Sequence, residues 1–410
     1  MTPTITTERM SSLIPEASDR PGDDPIFTLN AEAQQRARAG EDVINATLGA
    51  LMEDDGRLAV MPAVFEAIGS IAPEKASAYA PIAGDDSFLK AVISDTLGSG
   101  LLAQRSVAVA TAGGTGAVHH GIVNFLEPGQ ALLTPSYFWG PYQTLATHTR
   151  RAVETFEMFD GDGRFNLQAF DQGLRDLVQR QGRALVVLNF PCNNPTGYTL
   201  DAGEWRGVSE VLCREGKRAP VTFMLDLAYA RYGADGADAW LAELETVNEQ
   251  CTLLFAWSAS KAFAQYGSRV GALIAVTADD AERTRIANAL SFSCRGTWSN
   301  CNHLGILAIT TLLTDEQLKA RADAERSRLT ALIGERVEVF NREAEKVGLR
   351  TPRYEGGFFV AVFKDDAQAA AAAAREEGVF VVPMKGAVRV ALCSTPARDI
   401  PRLVEVLGKS

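Results

Sequence analysis

The feature that most constrains the fold of this chain is a repeated alternation of short apolar runs with helical patterns. The apolar runs have the length of strands and lie at residues 107–110, 131–135, 183–189, 221–226 and 252–258. Helical patterns separate several of them, at 116–125, 167–180 and 204–215. Strands that are apolar on both faces and separated by helices indicate a largely parallel sheet covered on both sides. We therefore expect an α/β fold with a large domain built on a mostly parallel sheet flanked by helices.

The length of the chain predicts two domains, because 410 residues exceed what one hydrophobic core usually supports. A long helical pattern at 315–347 is the expected connection, and short strands around an alanine-rich helix follow it. We expect a small α+β domain built from both chain ends. The predicted boundaries are 1–60 for an N-terminal arm and part of the small domain, 61–315 for the large domain, and 316–410 for the remainder of the small domain. Residues 1 to about 25 are expected to be a loosely docked arm.

Composition excludes several classes of protein. The net charge of −11 argues against a nucleic-acid surface, which needs clustered Lys and Arg, although local arginines still allow small anionic ligands. The sequence shows neither a signal peptide nor an apolar run long enough to cross a membrane, so we expect a cytoplasmic protein. The six cysteines lack metal-ligand spacing, which predicts reduced thiols and no metal site.

Candidate functional residues follow the predicted strands. Gly113 to Thr115, Asn194, Asp226 and Lys261 all lie just beyond apolar runs. In open α/β sheets, ligands bind at this edge. The glycine turn at 111–115 leads directly into a helix, and free N–H groups at a helix start favour an anion. It is not a P-loop, because no lysine follows the glycines.

Lys261 stands between small hydroxyl residues and an apolar run in the segment 258–271. Burying a lysine as a cation is expensive unless it is paired or neutralised, and a Schiff base neutralises it. The alternative is a lysine at a strand end that points into water. Taken singly, Asp226 after a strand and Asn194 before a proline also suit ordinary turns. Arg389, in a short predicted strand, is either an inward arginine that needs an anionic partner or an exposed edge-strand residue.

The ordered set of motifs resembles the fold-type I pyridoxal-phosphate (PLP) enzymes of the class I aminotransferases. Within that class it is most similar to the aspartate and aromatic amino acid aminotransferases. The matching residues are Tyr79, Gly113-Gly114-Thr115-Gly116, Asn193-Asn194-Pro195-Thr196-Gly197, Asp226-Leu227-Ala228-Tyr229, Ser258-Ala259-Ser260-Lys261, Arg269 and Arg389. The resemblance implies a large PLP-binding domain and a small α+β domain.

The resemblance also implies roles in binding the cofactor. Lys261 would form the Schiff base, Asp226 would face the pyridine nitrogen, and Tyr229 would join them as a catalytic residue. Asn194 and Tyr229 would both hydrogen-bond the phenolic oxygen of PLP. The phosphate would be bound by Gly114, Thr115, Ser258, Ser260 and Arg269, and by Tyr79 from a neighbouring subunit.

Residues near the substrate are implied in the same way. Arg389 would bind the α-carboxylate, with Asn194 and Gly49 beside it, and Arg295 would reach from the other subunit to a side-chain carboxylate. The ring that stacks on PLP would be Trp139 or Tyr137, with Phe138 in the core. The histidine usual in that region has no clear counterpart, and Tyr142 is nearest. Asp226 is therefore expected to have a different supporting partner.

The function implied by the resemblance is ping-pong transamination through pyridoxamine phosphate, in a homodimer. The substrates would be an L-amino acid, dicarboxylic or aromatic, and a 2-oxo acid such as 2-oxoglutarate. One alternative is a PLP-dependent β-lyase or decarboxylase, because one carbanion can lead to several outcomes. A non-catalytic PLP-binding regulatory protein is less favoured. Regulators of that type carry an N-terminal DNA-binding domain, and few residues precede Gly49.

Overall fold

A computed structural model of the chain describes residues 11–22 and 25–410. The parts of the expected arm at 1–10 and 23–24 lie outside the described residues. The strands are β1 (Ile44–Asn45), β2 (Ser106–Ala112), β3 (Ala131–Pro135), β4 (Ala152–Phe156), β5 (Ala184–Leu188), β6 (Val221–Asp226), β7 (Thr252–Ser258), β8 (Val270–Val276), β9 (Phe359–Phe363), β10 (Val379–Phe380), β11 (Val382–Met384) and β12 (Ala387–Ala391). The helices are α1 (Pro15–Ser18), α2 (Pro25–Arg38), α3 (Pro62–Gly69), α4 (Pro73–Ser77), α5 (Asp86–Leu97), α6 (Leu101–Gln104), α7 (Gly113–Phe125), α8 (Pro141–His148), α9 (Leu167–Gln181), α10 (Ala202–Gly216), α11 (Leu241–Asn248), α12 (Ala259–Ala262), α13 (Asp280–Thr297), α14 (His303–Thr314), α15 (Glu316–Val347), α16 (Ala367–Glu376) and α17 (Ile400–Lys409).

The central element is a seven-stranded sheet with the order β2-β8-β7-β6-β5-β3-β4. Neighbours from β7 to β4 pair in parallel, whereas β8 is antiparallel to both β2 and β7. The expected α/β fold with a mostly parallel sheet is confirmed. Because β8 alone in this sheet is reversed, the carboxyl ends of the other six strands lie at one edge.

Both faces of the sheet are buried, as the apolar runs predict. Along β5, Val186 and Leu188 pack into one hydrophobic cluster, while Leu185 and Val187 pack into a second cluster on the other side. This alternation follows from the two-residue period of a strand. Helices on both faces exclude water, so polar groups are expected mainly at the strand ends.

The smaller sheets lie in the segments expected to form the small domain. β9, β11 and β12 form an antiparallel sheet in the order β11-β12-β9. β1 pairs in parallel with β10, so the two ends of the chain meet as expected. The long helix α15 begins after its cap Asp315 and ends at Gly348, which has a left-handed backbone. The boundaries at 60 and 315 stay predictions.

A partly buried ionic cluster joins the segment before β9 to the start of α10. Arg353 donates to Glu204 at 3.0 Å and to Asp201 at 3.3 Å, and its guanidinium lies 4.7 Å from the ring centroid of Tyr198. The buried carboxylate of Glu204 also accepts a 2.6 Å hydrogen bond from the Tyr198 hydroxyl. This cluster connects a segment of the expected small domain to a helix of the expected large domain.

Some local features differ from the sequence-based expectations. The helix expected at 116–125 begins earlier, at Gly113, so the glycines form its first turn. One of the short strands expected around the alanine-rich helix, at 379–383, is divided into β10 and β11, and strands β4 and β8 were not predicted. All six cysteines are free thiols, and five are buried. Across residues 11–22 and 25–410, none of the helices combines the length and apolarity needed to cross a membrane.

Candidate active site

A cavity lies at the sheet edge where the carboxyl ends of the strands meet. Its walls are Gly114, Thr115, Trp139, Asn189, Asn194, Asp226, Ala228, Tyr229, Ser258, Ser260, Lys261 and Arg269. These residues follow β2, β3, β5, β6 and β7, which explains why sequence positions so far apart converge. A wider cavity beside α13, at the starts of β6 and β7, contains none of the motif residues.

One wall of the cavity is an anion cradle at the start of α7. Gly113 has a left-handed backbone with φ +66°, and a Cβ there would lie 2.5 Å from Nη2 of Arg269. The Gly113 N–H donates to the Arg269 carbonyl at 3.0 Å, which joins the two loops. Only glycine allows so close an approach in this conformation. The guanidinium of Arg269 is thereby held against the first turn of the helix.

Hydroxyl groups continue the cradle on the segment that carries Lys261. Arg269 Nη1 donates to Ser260 Oγ at 3.3 Å and to the Tyr266 carbonyl at 2.8 Å. Ser258 Oγ accepts a 3.1 Å hydrogen bond from the Ser260 N–H. A helix start, two hydroxyls and a guanidinium form a donor set that suits a phosphate.

Asp226 ends β6 and lies buried at the opposite wall. Its Oδ2 accepts a 2.6 Å hydrogen bond from the Tyr142 hydroxyl, and its Oδ1 accepts a 3.1 Å bond from the Ala228 N–H. Burial raises the pKa of Asp226, while these two donors and the nearby Lys261 cation act to lower it. A buried carboxyl in this position suits a protonated ring nitrogen as a further partner.

Asn189 is a site residue that the sequence reasoning missed. Its side-chain N–H donates to the Asp226 carbonyl at 2.9 Å, and its Oδ1 accepts from the Asn194 N–H at 2.7 Å. It therefore fixes two predicted cofactor residues relative to each other. The sequence signal that could have identified Asn189 is its position as a polar residue directly after a fully apolar strand.

Lys261 lies on the one-turn helix α12 and faces the cavity. Burial lowers the pKa of its amine, and Arg269 lowers it further, although Asp226 acts in the opposite direction. Its Nζ lies 5.5 Å from the ring centroid of Tyr229. The Tyr229 hydroxyl accepts a 3.4 Å hydrogen bond from the Asn194 side chain. The alternative of a lysine that points into bulk water is wrong.

The aromatic loop after β3 separates its two candidate stacking residues. Trp139 lines the cavity, whereas Tyr137 packs against Phe159 and Phe363, with ring centroids 6.0 Å away in both pairs. Phe138 stacks on Tyr142 outside the cavity wall. The alternative in which Tyr137 stacks on a cavity ligand is therefore not supported, because its ring is turned toward β9.

Arg389 is buried on β12, so its exposed edge-strand alternative is wrong. Its Nη2 donates to the Thr47 carbonyl at 2.6 Å, and its guanidinium lies 4.4 Å from the Phe359 ring centroid. A Cβ on Gly49 would lie 2.6 Å from Cζ of the same Phe359 ring, so glycine lets this loop pack closely. Arg389 is not among the residues that line the cavity, but its charge acts on Tyr229, which does line it.

Tyr79 and Arg295 lie outside the cavity and are exposed on the surface. Arg295 lies in the last turn of α13, and the segment that follows this helix is joined to the loop that carries Tyr79. The Asn300 side chain accepts from the Ala80 N–H at 2.9 Å and donates to the Ala80 carbonyl, while His303 Nδ1 lies 2.7 Å from the Ala78 carbonyl oxygen. Within one chain, neither residue contributes to the site.

The fold and this site together define a class of protein. A lysine with a lowered pKa, a buried acid opposite it, donors for a phenolic oxygen and a phosphate cradle match the chemical needs of PLP. These residues fit the cofactor, and the class is that of the PLP-dependent enzymes of α/β fold.

Comparison with known proteins identifies the family. The family described as aminotransferase class I and II matches residues 41–407. The aromatic-amino-acid aminotransferase of Escherichia coli (strain K12) is 30% identical over 333 residues, which cover 78% of this chain and 81% of that protein. The aspartate aminotransferase of Pseudomonas aeruginosa is 30% identical over 317 residues, covering 74% and 75%. A solved aminotransferase from Anaerococcus prevotii has a TM-score of 0.92 at 29% identity, covering 98% of this chain and 99% of that one.

The chain belongs to the class I and II aminotransferase family. It is a PLP-dependent aminotransferase, and the expected resemblance is confirmed. The β-lyase, decarboxylase and regulatory alternatives are not favoured by these relatives.

Proposed function

We propose that this aminotransferase transfers the amino group of an aromatic or dicarboxylic L-amino acid to a 2-oxo acid such as 2-oxoglutarate. The observation that carries the proposal is the convergence of Lys261, Asp226 and the anion cradle on one cavity, with Arg389 behind Tyr229. Relatives named for aromatic amino acids and for aspartate support the two substrate classes.

The protein side of the cofactor site follows from the cavity walls. When bound, PLP supplies an electron sink for negative charge at the substrate Cα. Lys261 would provide the amine that holds the aldehyde of PLP, and Asp226 would keep the ring nitrogen protonated. Asn194 and Tyr229 would supply hydrogen bonds to the phenolic oxygen, and Trp139 would provide the aromatic contact to the ring.

Lys261 also moves the reacting proton. Because burial lowers the pKa of its amine, a larger fraction of Nζ is neutral near pH 7 than in an exposed lysine. A neutral amine accepts the proton from the substrate Cα and later returns it. Both oxygens of the Asp226 carboxyl already accept hydrogen bonds, from the Tyr142 hydroxyl and the Ala228 N–H, so we assign the proton transfer to Lys261 alone.

Arg389 binds the substrate α-carboxylate in this proposal. Its planar guanidinium forms two parallel hydrogen bonds to a carboxylate, and Phe359 and the Thr47 carbonyl fix its orientation. Gly49 keeps the adjacent loop close to Phe359. The substrate would then lie between Arg389 and the cofactor.

We further propose a homodimer in which Tyr79 and Arg295 enter the site of the partner. Both are exposed, and Asn300 and His303, which follow the helix of Arg295, bind the loop that carries Tyr79. Tyr79 is 92% exposed, so its side chain is accessible to a partner subunit. Arg295 would meet a side-chain carboxylate. The free, mostly buried thiols support a cytoplasmic location.

The substrate proposal is tested with a panel of amino donors against 2-oxoglutarate: aspartate, phenylalanine, tyrosine and alanine. We expect phenylalanine, tyrosine or aspartate to give the highest kcat/KM, with one oxo acid released per site when the second substrate is omitted. A preference for alanine would contradict the proposal. Ammonia release in place of amino transfer would indicate elimination.

The shared site is tested by subunit complementation. Lys261→Ala and Arg295→Ala chains are each expected to be poorly active with aspartate, whereas mixed dimers contain one intact site and should recover activity. Mixing Lys261→Ala with Arg389→Ala is the matched control. Both of those residues belong to one chain's site, so no intact site forms. Equal recovery in both mixtures, or in neither, would contradict sharing across the interface.

A further inference from the structure

The phenol of Tyr142 contacts Asp226 but takes no part in the binding and proton-transfer steps proposed above. Its hydroxyl donates to Oδ2 of Asp226 at 2.6 Å, a distance typical of a hydrogen bond to a charged carboxylate. The Tyr142 side chain has no exposed surface and belongs to α8, none of whose residues is among those that line the cavity. A buried phenol that approaches a buried acid this closely orders the acid.

The orientation of this phenol is itself determined by the aromatic loop. Phe138 stacks almost parallel to Tyr142, and Trp139 meets it edge-on with ring centroids 5.5 Å apart. Trp139 also lines the cavity. One continuous chain of contacts therefore runs from the cavity-facing Trp139 through Tyr142 to the carboxyl of Asp226.

We propose that Tyr142 is a positioning residue that keeps Asp226 ionised and aimed at the cofactor ring. The proposal rests on the proposed role of Asp226 toward the ring nitrogen. A phenol suits this task because it donates a hydrogen bond while remaining uncharged across the neutral range. It stabilises the carboxylate without supplying a cation that would compete with the protonated ring. The Ala228 N–H fixes the other oxygen, so the carboxyl cannot rotate freely.

Among the residues that the structure describes, the ionisable groups that act on this contact come from three elements. Tyr142 from α8, Tyr229 from the loop after β6 and Lys261 from α12 act on or near the Asp226 carboxyl. Burial raises the pKa of Tyr142, and the negative Asp226 raises it further. The phenol therefore remains a donor throughout the working range. Loss of its hydroxyl would leave Asp226 harder to ionise.

The test is the pH dependence of PLP binding to the full-length apoprotein, which does not require turnover. Tyr142→Phe removes the donor and keeps the ring. We expect its dissociation constant for PLP at pH 7 to rise about 10-fold or more, the scale for losing a hydrogen bond to a charged group. The midpoint below which affinity falls should move to higher pH. Lys261 and the PLP phosphate also titrate, but they do so in every protein compared. A difference in midpoint between two proteins therefore does not come from them.

The chain offers a matched control in Tyr198→Phe. Tyr198 donates to the buried carboxylate of Glu204, also at 2.6 Å, but away from the cavity. Tyr198→Phe should therefore lower stability without moving the PLP midpoint. The same midpoint in Tyr142→Phe as in the wild type, or equal shifts in both variants, would overturn the proposal.

Two further proteins separate the possible failures. If Tyr142→Phe does not fold, 3-fluorotyrosine at position 142 keeps the shape and donates more strongly, so the midpoint must move to lower pH; an unchanged midpoint overturns the inference. Asp226→Asn tests the underlying role. If it binds PLP as the wild type does, the proposed function of Asp226 fails. If it binds weakly while Tyr142→Phe binds normally, only the role of Tyr142 fails.

Discussion

Replacing Gly113 by alanine tests whether the close approach of two loops builds the phosphate cradle. The new Cβ would lie 2.5 Å from Nη2 and 2.9 Å from Cζ of Arg269. This is about 1 Å short of a normal contact, so the guanidinium must move by a comparable distance. Its 3.3 Å hydrogen bond to Ser260 would not survive such a displacement.

Two costs follow from this substitution and can be measured separately. A left-handed backbone at a residue with a Cβ costs about 1–2 kcal/mol of folding stability. Misplacing a charged donor to a phosphate costs a further 1.5–3 kcal/mol or so, which corresponds to about 10- to 100-fold weaker PLP binding. Urea unfolding of the apoprotein reports the first cost, and titration of the apoprotein with PLP reports the second.

The control is Gly182→Ala at the end of α9. Gly182 has φ +71°, and a Cβ there would have no atom within 4 Å. This variant should lose similar stability but bind PLP normally. If Gly113→Ala binds PLP as tightly as Gly182→Ala, then Arg269 does not act from the position that the structure gives it, and the reasoning is refuted.

Three further predictions concern other parts of the chain. Arg389→Ala should lower kcat/KM for every amino donor by at least about 30-fold, since truncating one partner of a buried charge pair costs 2 kcal/mol or more. Arg389→Lys should recover little activity, because lysine lacks the planar guanidinium. Steady-state kinetics and a thermal melt check both variants, and a loss limited to some donors would contradict the prediction. Asp226→Asn should make the apoprotein progressively more stable than the wild type as pH rises above the ordinary carboxyl pKa of 3.8. Burial raises the pKa of Asp226, so the folded wild type is stabilised by a proton that it loses with rising pH. Urea unfolding across pH tests the direction of this difference in unfolding free energy. Arg353→Ala should cost about 2 kcal/mol of unfolding free energy, because it leaves the buried Glu204 carboxylate without its guanidinium partner. Arg350→Ala removes one partner of an exposed ion pair and should cost no more than about 0.5 kcal/mol. Equal losses in the two variants would argue against a stabilising role for the ionic cluster.

Much of the architecture could be predicted because strand periodicity is local information. The runs at 131–135, 221–226 and 252–258 match β3, β6 and β7 at both ends. Once the strands are parallel, the residues after them must meet at one edge, which is why Asp226 and Lys261 were found without a structure. β8 was harder to predict, because it follows β7 after only a short helix and an irregular loop, and its reversed direction leaves no mark in its own composition.

The details that sequence reasoning could not supply are contacts between side chains. Asn189 looks like an ordinary polar residue after a strand, and its role appears only when Asp226 and Asn194 are placed on either side of it. Tyr142 was recognised as the nearest counterpart of an expected histidine. Its hydrogen bond depends on how α8 packs against β6, which sequence spacing does not specify. Tyr137 and Trp139 are two residues apart, and only tertiary packing decides which of them faces the cavity.

The pairing of β1 with β10 has a consequence for how the chain is made. Ile44 in β1 cannot pair until Val379 in β10 has been synthesised. All strands of the seven-stranded sheet, in contrast, have been synthesised once the chain extends past β8, which ends at Val276. Since synthesis runs from the N-terminus and domains fold as units, the cradle around Lys261 can assemble well before Arg389 exists. On the roles proposed for these residues, the growing chain would be able to bind PLP before the arginine that binds the substrate carboxylate has been made.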